Sequence, residues 1–130
     1  MTRGLKITFE IHAILGFIFG IAFFLIPETA LGWIQWTPVD PALARLWGAA
    51  LIALGMASYL GYHATRWEEV RITVEMDAGF TIFATVGALY AAFVGGPAFL
   101  WVVIVVFGAF AAAWLYQIYQ HRPVFAARAR

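Results

Sequence analysis

Glu10, His12, His63, Glu75, Asp77 and His121 are the side chains whose types and positions could move a proton, hold a cation or ligate a metal. Glu10 and His12 fall early in the first apolar run, and Glu75 and Asp77 early in the third. His63 closes the second run and His121 the fourth. Residues two apart on a helix point about 200° apart. At most one of each pair therefore faces a common site, and the deeper ones, His12 and Asp77, are the expected inward pair. Counted from the apolar runs, each sits roughly 8 Å past its helix start.

Three chemistries compete for this cluster. Acids at helix starts and histidines at helix ends follow from the helix macrodipole alone, so capping and snorkelling account for the pattern structurally. The functional reading is a polar pocket for a proton, a cation or a ligand headgroup. A charged side chain at the centre of a membrane helix costs about 2.5–3.5 kcal/mol on insertion scales and is rarely kept without use. The third is a b-type haem, which needs facing imidazoles, and His12 with His63 is the only pair to nominate. No H-x-x-x-H or Glu-x-x-His spacing supports it, so no metal and no cofactor are expected. A second constellation lies at the opposite end. Arg45 is expected to pair structurally with Glu28, since a bidentate carboxylate is the usual way to hold a partly buried Arg. Alternatively it snorkels outward or binds an anionic group.

The elements that must position these residues are helices. The 130-residue chain is 64% apolar and only 12% charged, against about 45–50% and about 25% for a soluble domain. The apolar residues form long runs, each near the roughly 20 residues that cross a bilayer. The expected spans are about 7–26, 42–62, 72–94 and 98–119, in a single transmembrane domain. An outer loop occupies 27–41 and a tail 120–130. Asp40-Pro41 opens the second span well, as N-cap and first helical residue. Gly95-Gly96-Pro97 makes a tight turn, so the last two spans are antiparallel neighbours. The first span is too long for a signal-peptide core and reads as a retained helix. The expected fold is an all-α polytopic membrane protein, an antiparallel bundle of four transmembrane helices.

Orientation follows from charge. Arg3, Lys6, Arg66, Arg71, Arg122, Arg128 and Arg130, seven of the eight basic residues, share one side of those spans. The positive-inside rule places that side, with both termini, in the cytoplasm, which makes the plasma (inner) membrane the expected location. Trp33, Trp36 and Trp101 fall at the outer interface, and Tyr62, Trp67, Tyr116 and Tyr119 at the inner one. The outer loop, with Trp33 and Trp36, is expected to lie along the interface as an anchor, in part as a short helix, or else to cover an outer-leaflet pocket. There is no Cys, so thiolate chemistry and disulfides are excluded. Basic residues this few and this close to the spans do not suit nucleic-acid binding.

Small residues recur every fourth position: Gly16 and Gly20; Ala49, Ala53, Ala57 and Gly61; Ala84, Ala88 and Ala92; Gly108 and Ala112. Such ridges let helices approach closely in lipid. They would pack the bundle internally or, turned outward, join another membrane subunit or a second copy. Gly16-Phe17 and Gly79-Phe80, with Tyr59-x-x-Tyr62-His63 and Tyr116-x-x-Tyr119-x-His121, hint that the two halves form a parallel repeat.

The stretch Pro41-x-x-x-Arg45-x-x-Gly48-x-x-Leu51-x-x-x-Gly55 resembles the start of the second helix in small four-helix bacterial membrane proteins of the DoxX-like kind. Pro27 with Leu31-Gly32 at the end of the first helix is similar too, and the resemblance covers about half the chain. It implies a four-helix membrane fold. Many members have no firmly assigned activity, and the position of Arg45 is often acidic in them, so no functional residue is carried over. No Ser-His-Asp arrangement, phosphate loop or zinc-ligand spacing is visible. The expected function is a non-enzymatic membrane protein, an accessory or assembly subunit. The alternative is a small transporter or ligand- or ion-binding protein using the inner cluster.

Overall fold

Local capping sets where each helix begins. The computed structural model describes residues 1–128, with side chains as far as His121. Helix α1 (Arg3–Leu25) starts where the Thr2 hydroxyl accepts from Leu5 N at 3.2 Å. A short helix α2 (Pro27–Trp33) follows, with Pro27 in its first turn. Helix α3 (Pro41–His63) begins at Asp40, whose carboxylate accepts from Ala42 N and Leu43 N at 2.9 and 3.1 Å. Helix α4 (Trp67–Phe93) starts five residues before the expected 72. The reason is Glu69, which reaches back to accept from Thr65 N and Arg66 N at 3.1 and 3.3 Å. The charged stretch read as loop is thus the first turn of a helix, capped by the Glu69 carboxylate. The turn after α4 passes through Gly95 at φ +94°, a left-handed conformation that favours glycine. Helix α5 (Leu100–Arg128) continues well past the expected end at 119, and Ala129 and Arg130 of the expected tail lie outside the described residues.

The result is an all-α helical bundle. Four helices, Arg3–Leu25, Pro41–His63, Trp67–Phe93 and Leu100–His121, are long and apolar enough to cross a membrane. They associate as two pairs. Along α1 and α3 the contact is backbone on backbone. A Cβ added to Gly48 would come 2.7 Å from Gly20 O and Phe24 N, and one on Gly16 would come 3.0 Å from Gly55 Cα. The ridge of α3 that meets α1 is therefore Ala44, Gly48, Leu51, Gly55 and Ser58. The ladder expected there, Ala49, Ala53, Ala57 and Gly61, contributes only Gly61 to the buried face; Ala49 and Ala53 are exposed.

Along α4 and α5 the contact is made by rings. Trp67 stacks on His121 at 4.2 Å, Phe80 meets Phe107 edge-on at 5.8 Å, and Phe93 meets Trp101 at 5.9 Å. The core lies at the end where α1 and α4 begin, and comprises Leu5, Phe9, Trp67, Val70, Val74, Ala78 and Trp114. At the opposite end large apolar side chains point outward: Phe83, Tyr90 and Phe93 are 79%, 72% and 77% exposed.

Candidate functional site

The helical period delivers one polar residue from each of three helices to the same point. On α1 the buried face runs Leu5, Phe9, His12, Gly16, Gly20, so His12 replaces an apolar residue in the stripe. On α3 Ser58 continues the ridge of Gly48, Leu51 and Gly55. On α4 Asp77 lies among Val70, Val74 and Thr81. His12, Ser58 and Asp77 are 6%, 0% and 1% exposed. His12 Nδ1 is 2.7 Å from Ser58 Oγ, Ser58 Oγ is 3.5 Å from Asp77 Oδ2, and His12 Nδ1 is 3.6 Å from that same carboxylate oxygen.

Helix α5 supplies the apolar wall. The His12 ring meets Phe110 edge-on at 4.8 Å and Trp114 at 5.6 Å, and Trp114 also packs on Phe9 at 5.0 Å. Trp114 is fully buried, and its Nε1 has no hydrogen-bond partner among the described residues. All four long helices thus meet at one polar centre. Around it, Thr81 Oγ1 donates to the Asp77 carbonyl at 2.7 Å, and Thr2 Oγ1 donates to buried Gln117 Oε1 at 3.3 Å.

The hydrogen count constrains the protonation pattern. Ser58 carries one hydroxyl proton. Donated to Asp77, it leaves Ser58 Oγ as acceptor, and His12 must then present Nδ1–H to it. With Asp77 ionised, the chain of donors runs His12 to Ser58 to Asp77; a protonated Asp77 carboxyl would reverse it. A histidine, a serine and an aspartate do therefore come together, where the sequence shows no such arrangement. Their geometry differs from a nucleophilic triad, in which the imidazole uses one nitrogen for the serine and the other for the carboxylate. Here one nitrogen faces both.

The cluster also stands further from the helix ends than the apolar runs imply. His12 lies nine residues past Arg3 and Asp77 ten past Trp67, which is about 14 and about 15 Å along their helices at 1.5 Å per residue. The earlier start of α4 accounts for most of the change at Asp77.

The other candidates lie apart from this centre. Glu10 is exposed. Glu75 is exposed and accepts from Arg71 Nε at 2.7 Å. His121 stacks on Trp67 and holds Gln117 O at 2.8 Å through Nδ1. His63 is exposed at the end of α3, edge-on to Tyr59 and Tyr62 at 4.7 and 5.2 Å. It sits five residues beyond Ser58, about 7.5 Å further along the helix, so His12 and His63 do not face each other as haem ligands would. Among the described residues no group of three His, Asp or Glu side chains could hold a metal ion.

The expected ion pair of Arg45 with Glu28 is not formed. Both side chains are exposed, and the Arg45 guanidinium donates instead to Pro41 O at 3.4 Å, one turn back on its own helix. That carbonyl lies on Arg45's own helix, within reach without any tertiary contact. Sequence reasoning did not single out Ser58, Thr81, Phe110, Trp114 or Gln117. The 3–4 spacing of Ser58 from Gly55, Leu51 and Gly48 was the available signal. No family model, no curated protein and no solved structure matches this chain.

Proposed function

We propose that this chain is a multi-pass integral membrane protein that works without catalysis, as an accessory or assembly subunit of a larger membrane complex. His12, Ser58 and Asp77 form the joint that fixes how its two helix pairs sit together. The observation that carries this reading is the closure of the joint. Its three polar groups are almost wholly buried and hydrogen-bond one another, which suits a shape-holding device better than a substrate site. Charge supports a plasma-membrane location with both termini cytoplasmic, since Arg3, Lys6, Arg66 and Arg71 gather at one end.

The role is tested by native electrophoresis of the tagged full-length chain from gently solubilised membranes. The expected result is a complex well above one 14.4 kDa chain with its detergent. Asp77→Ala, still membrane-inserted, should release the free chain. A monomeric wild-type protein overturns the subunit role. Orientation is tested by Ala64→Cys and Thr29→Cys, in a chain that has no other cysteine. A membrane-impermeant maleimide added from outside should label only Thr29→Cys.

A second reading, favoured by the burial of two titratable groups side by side, is proton or cation handling at His12 and Asp77. An ionisable side chain buried within a membrane span is costly to keep, and an imidazole beside a carboxylate can carry one proton between them. Ion flux in reconstituted vesicles would fall in Asp77→Asn under this reading. Equal flux through wild type, Asp77→Asn and empty vesicles removes it.

A further inference from the structure

The end of the bundle where α1 begins carries an open groove of about 440 Å³, lined by Met1, Arg3, Lys6, Ile7, Glu10 and Tyr62. That is far more room than the roughly 30 Å³ of a water molecule. The basic side chains described at this end fall into two kinds. Arg66 and Arg71 are each bound to a carboxylate, Glu69 at 2.8 Å and Glu75 at 2.7 Å. Arg3 and Lys6, the two that line the groove, form no ion pair among the described residues. Lys6 and Glu10 stand at the i, i+4 spacing that favours pairing, yet the Lys6 ammonium lies over the Tyr62 ring, 5.7 Å from its centroid. The groove therefore offers two side-chain cations without carboxylate partners beside the Met1 ammonium, which donates to Thr65 O at 3.4 Å, with one aromatic wall from α3 and the apolar surface of Ile7, which is 44% exposed.

We propose that this groove binds the phosphate of an anionic phospholipid of the leaflet on that side. Arg3 and Lys6 take the phosphate oxygens, Tyr62 holds Lys6 in place, and Ile7 meets the start of an acyl chain. Juxtamembrane cations attract anionic headgroups generally. What is particular here is that, among the described residues, the side-chain cations of this end left without carboxylates are those that share the groove. Glu10 is the one acidic side chain in the lining and weakens the site. The inference rests on the membrane reading but not on the subunit role.

The test uses purified full-length protein in mild detergent, titrated with dioleoylphosphatidylglycerol, with dioleoylphosphatidylethanolamine and separately with sodium phosphate, and read by native mass spectrometry. Bound phosphatidylglycerol should survive delipidation. Arg3→Gln with Lys6→Gln should weaken it about tenfold, Arg66→Gln should leave it unchanged, and Glu10→Gln, which leaves the topology-setting cations in place, should tighten it. Equal losses in Arg66→Gln and the double variant would mean general surface charge and overturn the site. Equal retention of phosphatidylethanolamine, or displacement by millimolar phosphate, overturns an anionic lipid as the ligand. A wild-type chain that alkali washes from membranes overturns the membrane reading and this inference together. An inserted chain without lipid preference overturns only the inference.

Discussion

The two helix pairs are built on opposite principles. Along α1 and α3 the side chains are removed: Gly16, Gly20, Gly48 and Gly55 bring the backbones so close that a Cβ at Gly48 would sit 2.7 Å from Gly20 O. Along α4 and α5 the side chains are the contact, as ring pairs Trp67–His121, Phe80–Phe107 and Phe93–Trp101 spaced along the seam. The glycines of that second pair are idle by comparison. A Cβ on Gly79 or Gly87 would meet nothing within 4 Å, and one on Gly108 only Thr85 Cγ2 at 3.9 Å. The presence of small residues on a helix therefore does not mark its contact face; the neighbour's distance does. Between the two pairs stands the polar centre, which the first pair supplies with His12 and Ser58, and the second with Asp77 and the rings of Phe110 and Trp114.

The sharpest way to break the contrast is to empty the ring-built side where it reaches the other pair. Trp114 is fully buried against Phe9 and His12. Trp114→Ala should cost about 3–5 kcal/mol, the range for large-to-small changes of aromatic residues in a core. Thermal unfolding in detergent micelles checks this, and a midpoint within a degree of wild type would show that the rings do not hold the pairs together. Next comes the glycine seam. In Gly48→Ala the obstructing atoms are backbone, Gly20 O and Phe24 N, so the helices must separate to admit one methyl. Overpacking of this kind costs about 1–3 kcal/mol, against the gain of less than about 1 kcal/mol that Ala brings to a helix interior. A stabilised Gly48→Ala would mean that α1 and α3 do not touch there.

The helices, their ends at Pro41 and Gly95 and the existence of a polar cluster are legible in the sequence because hydropathy, proline and glycine act locally. The 200° between Glu10 and His12, and between Glu75 and Asp77, already limits each pair to one inward member. What escapes is register. Small residues every fourth position advance about 40° per step around the helix, so Ala49, Ala53, Ala57 and Gly61 drift off any one face. The alternating steps of Gly48, Leu51, Gly55 and Ser58 stay on it. Ser58 is invisible as a site residue until that face is known, because a serine inside a helix has no signal of its own. Arg45 failed for another reason: a long side chain has several partners in reach, and the nearest, Pro41 O, needs no tertiary contact.

A smaller effect probes the joint between the pairs. Ser58→Ala removes the bridge between His12 Nδ1 and Asp77 Oδ2 but leaves these two atoms 3.6 Å apart, near enough to close into a direct hydrogen bond. The loss should be about 1 kcal/mol, the net worth of an ordinary hydrogen bond. Asp77→Ala in the same background should cost more, since it leaves the imidazole N–H without an acceptor. If Ser58→Ala alone unfolds the protein, the two helix pairs depend on the hydroxyl itself and cannot settle onto each other without it.

The smallest effect is the one that best separates the two kinds of glycine. Gly87 lies inside α4, exposed, with open space where a Cβ would go. Gly87→Ala should therefore be neutral or stabilise by up to about 1 kcal/mol, from the higher helix propensity of alanine. The unfolding midpoint in micelles should hold or rise slightly, opposite in sign to Gly48→Ala, although the chemical change is the same methyl. A fall would carry different information. Among the described residues nothing stands within 4 Å of a Cβ at position 87, so a destabilising methyl there would point to contact with another molecule. The exposed face of α4, with Phe83, Val86 and Tyr90 at 79%, 58% and 72% exposure, would then be a surface between subunits, and its glycine as much a contact as Gly48.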